Sequence, residues 1–124
     1  MGSAYLLTGR SILVVEDEPL IALEMTTLFE SVGAKVLQAR TVAEATDRAN
    51  GLSAAVLDYR LGKESTPALC ALLSERGIPF MFYTGYGDVR MTYPSAVVVE
   101  KPATAAALLS AISGLVGAAP ALVS

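Results

Sequence analysis

The stretch Ser11-Ile12-Leu13-Val14-Val15-Glu16-Asp17-Glu18-Pro19 decides how the rest of the chain is read. After Ser11, residues 12–15 form an uninterrupted apolar run rich in β-branched side chains. This is the pattern of a strand covered on both faces, since a half-exposed strand would alternate. Three acids follow at once, Glu16 and Asp17 directly on the strand and Glu18 before Pro19, which suits the first turn of a helix, where its missing N–H is no loss. Ile21, Met25, Leu28, Phe29 and Val32 then recur at helical spacing until Gly33 stops the run. The unit is a strand, a short acidic run, and a helix.

The alternation of strand and helix recurs down the chain, without the acidic run. Lys35 to Ala39 reads as a second strand, and Thr41-Val42-Ala43-Glu44 as a capping box opening a helix that closes near Asn50-Gly51. Ala54 to Leu57 is a third strand, ending on Asp58. A loop with Gly62 follows. Ser65 then precedes Pro67 and the helical set Leu69, Leu72 and Leu73, which ends at Gly77. Ile78 to Tyr83 is a fourth strand ending on Thr84. Gly85, Gly87 and Asp88 open a loop with at most a short helix before Pro94. Ala96 to Val99 is the fifth strand, and Leu108, Leu109, Ile112, Leu115 and Val116 make the apolar stripe of a last helix. Short connections between these elements imply parallel strands, right-handed crossovers and helices on both faces. The expected fold is an α/β, doubly wound, five-stranded parallel sheet of order 2-1-3-4-5, a three-layer sandwich of the flavodoxin kind. The expectation is a single domain over 1–124, with its core at about residues 10–117 and an apolar tail, Ala118 to Ser124, that frays.

Composition agrees with one domain. The 124 residues are 53% apolar and 17% charged, enough for a sizeable core and against disorder. Net charge is −3 with no basic tract to track a phosphate backbone, so no nucleic-acid partner is expected. No apolar stretch approaches the roughly 18 residues a membrane span needs, and the start lacks the features of a signal peptide. No membrane partner is expected. Cys70 is the single cysteine. It cannot form an internal disulfide, so a reducing cytoplasm is the expected location, and its apolar helical surroundings favour a buried structural thiol. Histidine is absent. That removes imidazole acid–base catalysis, most zinc sites and any role as a phosphohistidine donor.

The chemistry-bearing residues fall at strand ends. Glu16 and Asp17 follow the first strand, Asp58 the third, Thr84 ends the fourth, and Lys101 follows the fifth. A parallel sheet carries all these ends on one edge, where ligands bind. Two unit charges 4 Å apart cost on the order of 4 kcal/mol at an effective dielectric near 20. Three clustered carboxylates therefore call for a hard cation, and an all-oxygen site with few ligands suits Mg²⁺. A cation, a hydroxyl and an ammonium around one carboxylate are what phosphoryl transfer needs, with Asp58 as nucleophile, Thr84 as hydrogen-bond donor and Lys101 neutralising phosphoryl oxygens. Each residue alone has a plainer explanation: Asp17 as a helix cap, Thr84 as turn chemistry, Lys101 as a loop charge. Five such explanations holding together on one edge is the weaker account.

At these residues the chain resembles the response-regulator receiver family, the CheY-like domains, over nearly its whole length. The segments that carry the likeness are Val15-Glu16-Asp17-Glu18, Leu57-Asp58, Tyr83-Thr84-Gly85 and Glu100-Lys101-Pro102. The resemblance implies that Asp17, Asp58 and the backbone carbonyl of Arg60 coordinate Mg²⁺, with Glu16 acting through water. It implies Lys101 paired with Asp58 or its phosphoryl group, and a cis Lys101–Pro102 bond. Such a chain is not an enzyme beyond catalysing its own phosphorylation and dephosphorylation. Its partners would be a sensor histidine kinase, a phosphotransfer protein, or both, and a downstream effector protein. The run Pro79-Phe80-Met81-Phe82-Tyr83-Thr84-Gly85-Tyr86 resembles the FATGUY subgroup of single-domain receivers, with Tyr83 where that signature has Ala. Related receivers serve the general stress response. Val98 stands where ordinary receivers carry a switching aromatic, a position the subgroup also leaves without one. Residues 84–94 are then expected to carry the response to phosphorylation, with Met91 and Tyr93 as contacts and Tyr86 either a third contact or a cover over the pocket.

The rival from another class is a small phosphohydrolase of the haloacid-dehalogenase type, which also uses a strand-end Asp, a hydroxyl, a Lys and Mg²⁺. Those enzymes need a second Asp two residues after the nucleophile, and this chain has Arg60 there. Their acidic pair also comes late in sequence, whereas here it precedes Asp58. A degenerate receiver that only binds partners is disfavoured by the complete set of acids, hydroxyl and amine.

Overall fold

A computed structural model of the chain describes residues 5–85 and 89–117. Tyr86, Gly87, Asp88 and the expected tail from Ala118 lie outside the described residues. Among the described residues, seven strands and five helices follow one another: β1 (Ser11–Val15), α1 (Pro19–Ser31), β2 (Lys35–Ala39), α2 (Val42–Arg48), β3 (Ala54–Leu57), β4 (Arg60–Leu61), β5 (Glu64–Ser65), α3 (Pro67–Glu75), β6 (Phe80–Thr84), α4 (Val89–Thr92), β7 (Val97–Glu100) and α5 (Ala105–Gly117). Five strands form one sheet in the order β2-β1-β3-β6-β7, every pair parallel. This is the expected order 2-1-3-4-5, displaced in numbering only by the small antiparallel β4–β5 ribbon.

The central strands show why the opening motif is apolar throughout. In β1 every residue after Ser11 is buried, and in β3 all four are. Alternate side chains feed two cores. Ile12, Val14, Val56 and Met81 pack with Met25 and Phe29 of α1 and Leu108, Ile112 and Val116 of α5. Leu13, Val15, Leu57 and Phe82 pack on the other face with Ala45, Leu69, Cys70, Leu73 and Val89. Cys70 is a buried free thiol. Burying a side chain such as Phe29, which is 0% exposed, stabilises the fold by about 2–3 kcal/mol. The first core also takes in Leu7, whose N–H donates to the Val32 carbonyl. Gly33 permits that approach: its φ is 101°, and a Cβ there would sit 2.5 Å from Thr8 Oγ1.

Several boundaries differ from the sequence reading, each for a local reason. The fourth strand begins at Phe80 rather than Ile78, because the Ile78 N–H is tied back to Leu73 at the end of α3. The fifth runs Val97–Glu100 rather than Ala96–Val99, because the Ala96 N–H closes a turn on the Tyr93 carbonyl. Thr66, not Ser65, is the N-cap of α3, and it makes no side-chain cap; its hydroxyl donates to the Tyr59 carbonyl instead. The Gly62 loop is folded into the β4–β5 ribbon, pinned by buried Leu61 and by Glu64, which accepts from the Val42 N–H. The capping box at Thr41 forms, its hydroxyl accepting from the Glu44 N–H, while the Glu44 carboxylate reaches one residue further back, to the Arg40 N–H. The Lys101–Pro102 bond is cis, as the resemblance implied.

Candidate functional site

The strand ends at the C-terminal edge of the sheet hold the acidic residues, and the ladder itself sets their spacing. Past β1, the Glu16 N–H bonds to the Ala39 carbonyl of β2, and past β3 the Asp58 N–H bonds to Val15. Thr84 is the last residue of β6, and its carbonyl accepts from the Lys101 N–H just beyond β7. Main-chain bonding between neighbouring strands thus brings four distant parts of the sequence side by side.

The side chains close into a network around Asp58. Thr84 Oγ1 donates to Asp58 Oδ1 at 2.7 Å, and Lys101 Nζ donates to Asp58 Oδ2 at 2.8 Å. The same ammonium donates to Glu16 Oε1 at 2.9 Å, while Glu16 Oε2 accepts from the Glu18 N–H. The Arg60 N–H also points to Asp58 Oδ1, at 3.3 Å. Glu16, Asp58 and Thr84 are 1%, 6% and 0% exposed. Charged and polar groups are rarely so buried without partners, and among the described residues no buried side-chain N or O lacks one. Glu18, not Asp17, is the N-cap of α1, and no side chain caps that helix. The acidic pair is therefore free of the capping role that would explain it most simply.

Burial dominates the titration of Glu16 and pushes its carboxyl above the usual value, against the hydrogen bonds from Lys101 and Glu18 that favour the charged form. For Lys101 burial alone would lower the ammonium, but the hydrogen bonds to Asp58 and Glu16 outweigh it and hold it above its usual value. One ammonium faces three carboxylates. Ligand atoms of Glu16, Asp17 and Asp58 lie within 4.8 Å of one another, a set of hard oxygen donors with uncompensated negative charge, which fits a small divalent cation. Beside them opens a cleft of about 300 Å³, lined by Asp17, Glu18, Asp58, Arg60, Gly62, Gly85 and Lys101. Each site residue singled out in the sequence reaches this network or its cleft.

Two tyrosines, Tyr59 and Tyr83, make contacts that the sequence did not announce. Tyr59, immediately after Asp58, stacks edge-on against Phe82 and Tyr93 and shares a hydrogen bond with Thr92 of α4 at 3.1 Å. Tyr83 sends its hydroxyl to the Ala103 N–H and its ring beneath Lys101. Of the expected contact residues, Met91 is 87% exposed, Tyr93 is half-buried, and Tyr86 lies outside the described residues. Val98 is part-buried in the same cluster as Phe82 and Tyr93.

No protein-family model matches the chain. It is 33% identical over 114 residues to the phyllosphere-induced regulator PhyR of Methylorubrum extorquens, an alignment covering 82% of this chain and 43% of that protein. The chain thus spans less than half the length of the curated relative it matches. The solution structure of the receiver domain of PhyR from Erythrobacter litoralis superposes with a TM-score of 0.80 at 22% identity, covering 94% of this chain and 97% of the other. The receiver domain of a sensor histidine kinase from Pseudomonas aeruginosa, solved with a magnesium ion coordinated in its active-site cleft, superposes with a TM-score of 0.76 at 22% identity, covering 90% and 100%. The chain has the fold of a response-regulator receiver domain.

Proposed function

We propose that this receiver domain accepts a phosphoryl group on Asp58 in a Mg²⁺-dependent reaction and hands the signal on through protein contacts. One observation carries the reading: a single buried carboxylate, Asp58, receives the Thr84 hydroxyl on one oxygen and the Lys101 ammonium on the other, within reach of Glu16 and Asp17. An Asp58 oxygen forms the bond to phosphorus while the bond from phosphorus to the donor's leaving group breaks. Thr84 and Lys101 then turn their donors to phosphoryl oxygens, where charge builds in the transition state. Asp17 and Asp58, with the Arg60 carbonyl, would hold the cation and Glu16 would act through water; when bound, the metal neutralises phosphoryl charge. The phosphoryl donor is a sensor histidine kinase or phosphotransfer protein, and a downstream effector reads the result, all in the cytoplasm. The Phe82–Gly85 run and Val98 support a place in the FATGUY subgroup, and the likeness to PhyR supports a role in stress signalling.

The test is incubation with acetyl phosphate and Mg²⁺, followed by mass spectrometry. The expected product is one acyl phosphate, stable in acid and labile in base, absent without Mg²⁺ and absent in Asp58→Asn, because an amide is a poor nucleophile. A phosphoryl group retained in Asp58→Asn, or found on serine or threonine in the unaltered chain, overturns the reading.

A further inference from the structure

Tyr83 occupies a position that the family signature gives to alanine, and its two ends do different things. Its ring is buried, 5% exposed, on the α1–α5 side of the sheet. Its hydroxyl accepts from the Ala103 N–H at 3.3 Å, two residues past Lys101. The Lys101 ammonium lies 5.7 Å from the ring centroid, inside the roughly 6 Å at which an aromatic face attracts a cation. The next residue along β6, Thr84, accepts the Lys101 N–H at 3.0 Å. Consecutive residues of one strand therefore hold the lysine loop by its backbone on both sides of the lysine, and the ring borders the ammonium itself.

We propose that Tyr83 is a positioning residue for phosphoryl transfer, holding the Lys101 ammonium on the Asp58 side of the cleft through its ring face and fixing the 101–103 loop through its hydroxyl. The assignment rests on the phosphoacceptor reading above. A long, flexible lysine stem samples many rotamers, and each one lost in advance of reaction is orientation that the transition state does not have to supply. Two carboxylates already draw this ammonium in two directions, toward Glu16 and Asp58. A ring alongside limits how far it strays as charge moves from the carboxylate to phosphoryl oxygens. Alanine at this position would provide neither contact.

The experiment compares Tyr83→Phe, which keeps the ring, with Tyr83→Leu, which keeps only bulk. Phosphorylation by acetyl phosphate is followed at saturating donor over a range of Mg²⁺ concentrations. The Lys101 ε-methylene signals and the Ala103 amide are followed by NMR. In Tyr83→Leu, with its fold checked by amide spectra, the maximal rate should fall about ten-fold, the worth of one partly desolvated cation–π contact. The Mg²⁺ concentration for half-maximal rate should stay unchanged, since the acids hold the metal. The Lys101 ε signals should lose the upfield ring-current shift they show in the unaltered chain. In Tyr83→Phe that shift should persist, the Ala103 amide should exchange faster, and the rate should fall about three-fold, as for one modest hydrogen bond. Should Tyr83→Leu not fold, the Phe variant decides alone: an unchanged Ala103 amide or an unchanged rate overturns the proposal. So do Lys101 signals without any upfield shift in the unaltered chain, or a rate loss matched by lost Mg²⁺ affinity. An unaltered chain with shifted Lys101 signals that takes no phosphoryl group on Asp58 overturns the phosphoacceptor reading, and the transfer role with it. Normal transfer to Asp58 with no effect of either variant overturns Tyr83 alone.

Discussion

Two neighbouring regions of the molecule are held in opposite ways. At the sheet edge, Glu16, Asp58, Thr84 and Lys101 are joined by bonds of 2.7 to 2.9 Å, largely out of water. Beside it, α4 is only four residues long and depends mostly on contacts at the surface. Arg90 reaches Glu100 at 3.7 Å with both side chains about half exposed, and the Tyr59 hydroxyl meets Thr92 at 3.1 Å. Val89 alone anchors the helix in the core. Charge-assisted bonds shielded from water are strong and hard to rearrange piecemeal, whereas exposed pairs are worth little. The first region is held by shielded charges, whereas the second is held by contacts that cost less to break.

The largest expected effect comes from breaking the edge. Lys101→Ala leaves Glu16 and Asp58 facing each other without the cation, and should cost about 3 kcal/mol of stability at neutral pH while the chain remains folded. Millimolar Mg²⁺ should restore part of this, because it supplies the missing positive charge. Denaturant melts with and without Mg²⁺ check it; an unchanged midpoint would mean that the pairing contributes nothing. Next, Asp17→Asn should weaken Mg²⁺ binding about ten-fold by removing a carboxylate ligand. Glu16→Gln should weaken it less, since both Glu16 oxygens already accept protein donors. Titration calorimetry separates the two, and equal losses would contradict the division of roles.

Alkaline pH probes the packing beneath α4. Burial raises the Cys70 thiol above its ordinary 9.0, and burial with Cys70 nearby pushes Tyr93 from 10.0 to about 12. Raised values mean that the folded state keeps these protons longer. Their contribution is complete below the ordinary values and is lost as pH climbs through the folded ones. The denaturation midpoint should therefore decline between about pH 9 and about pH 12, with Lys101, also held above its usual value, adding to the upper part of that decline; Tyr93→Phe isolates the share that belongs to α4. Tyrosinate absorbance should include a late component that Tyr93→Phe removes. The smallest effect is Arg90→Ala, expected to change global stability by no more than about 0.5 kcal/mol, yet to speed amide exchange in residues 89–92. Slow exchange there would make α4 as firm as the edge and remove the contrast.

The parts of this structure that were legible in the sequence are those where a local pattern and a global requirement coincide. Residues 12–15 and 54–57 are apolar without interruption because both faces of a central parallel strand are covered, and the strand bounds Ser11–Val15 and Ala54–Leu57 were readable to the residue. The site was legible because its chemistry sits at strand ends, which a doubly wound sheet gathers on one edge. Pairings between distant residues were not. Lys101 and Glu16 are 85 positions apart, and nothing in either segment announces that the ammonium is shared between Glu16 and Asp58. The β4–β5 ribbon was equally silent, since two-residue strands have no period and this one is fixed by what its Leu61 and Glu64 meet elsewhere, the core and the Val42 N–H. Leu7 was hidden for the same reason: its place in the core depends on Val32 and Gly33, not on its neighbours in sequence.

The cleft beside Asp58 is small. At about 300 Å³ it stands at the lower end of the roughly 300–1,000 Å³ typical of sites that enclose a drug-sized molecule. Gly62 already borders it closely, a Cβ there falling 3.5 Å from Asp17 Oδ2. A bulky donor cannot bring its whole body inside. On the phosphoacceptor reading, phosphorus must arrive at the tip of something slender: a short free acyl phosphate, or a single side chain projecting from a partner whose bulk stays outside the rim. On that reading, the small volume of the cleft favours donors that present phosphorus on a short or slender group.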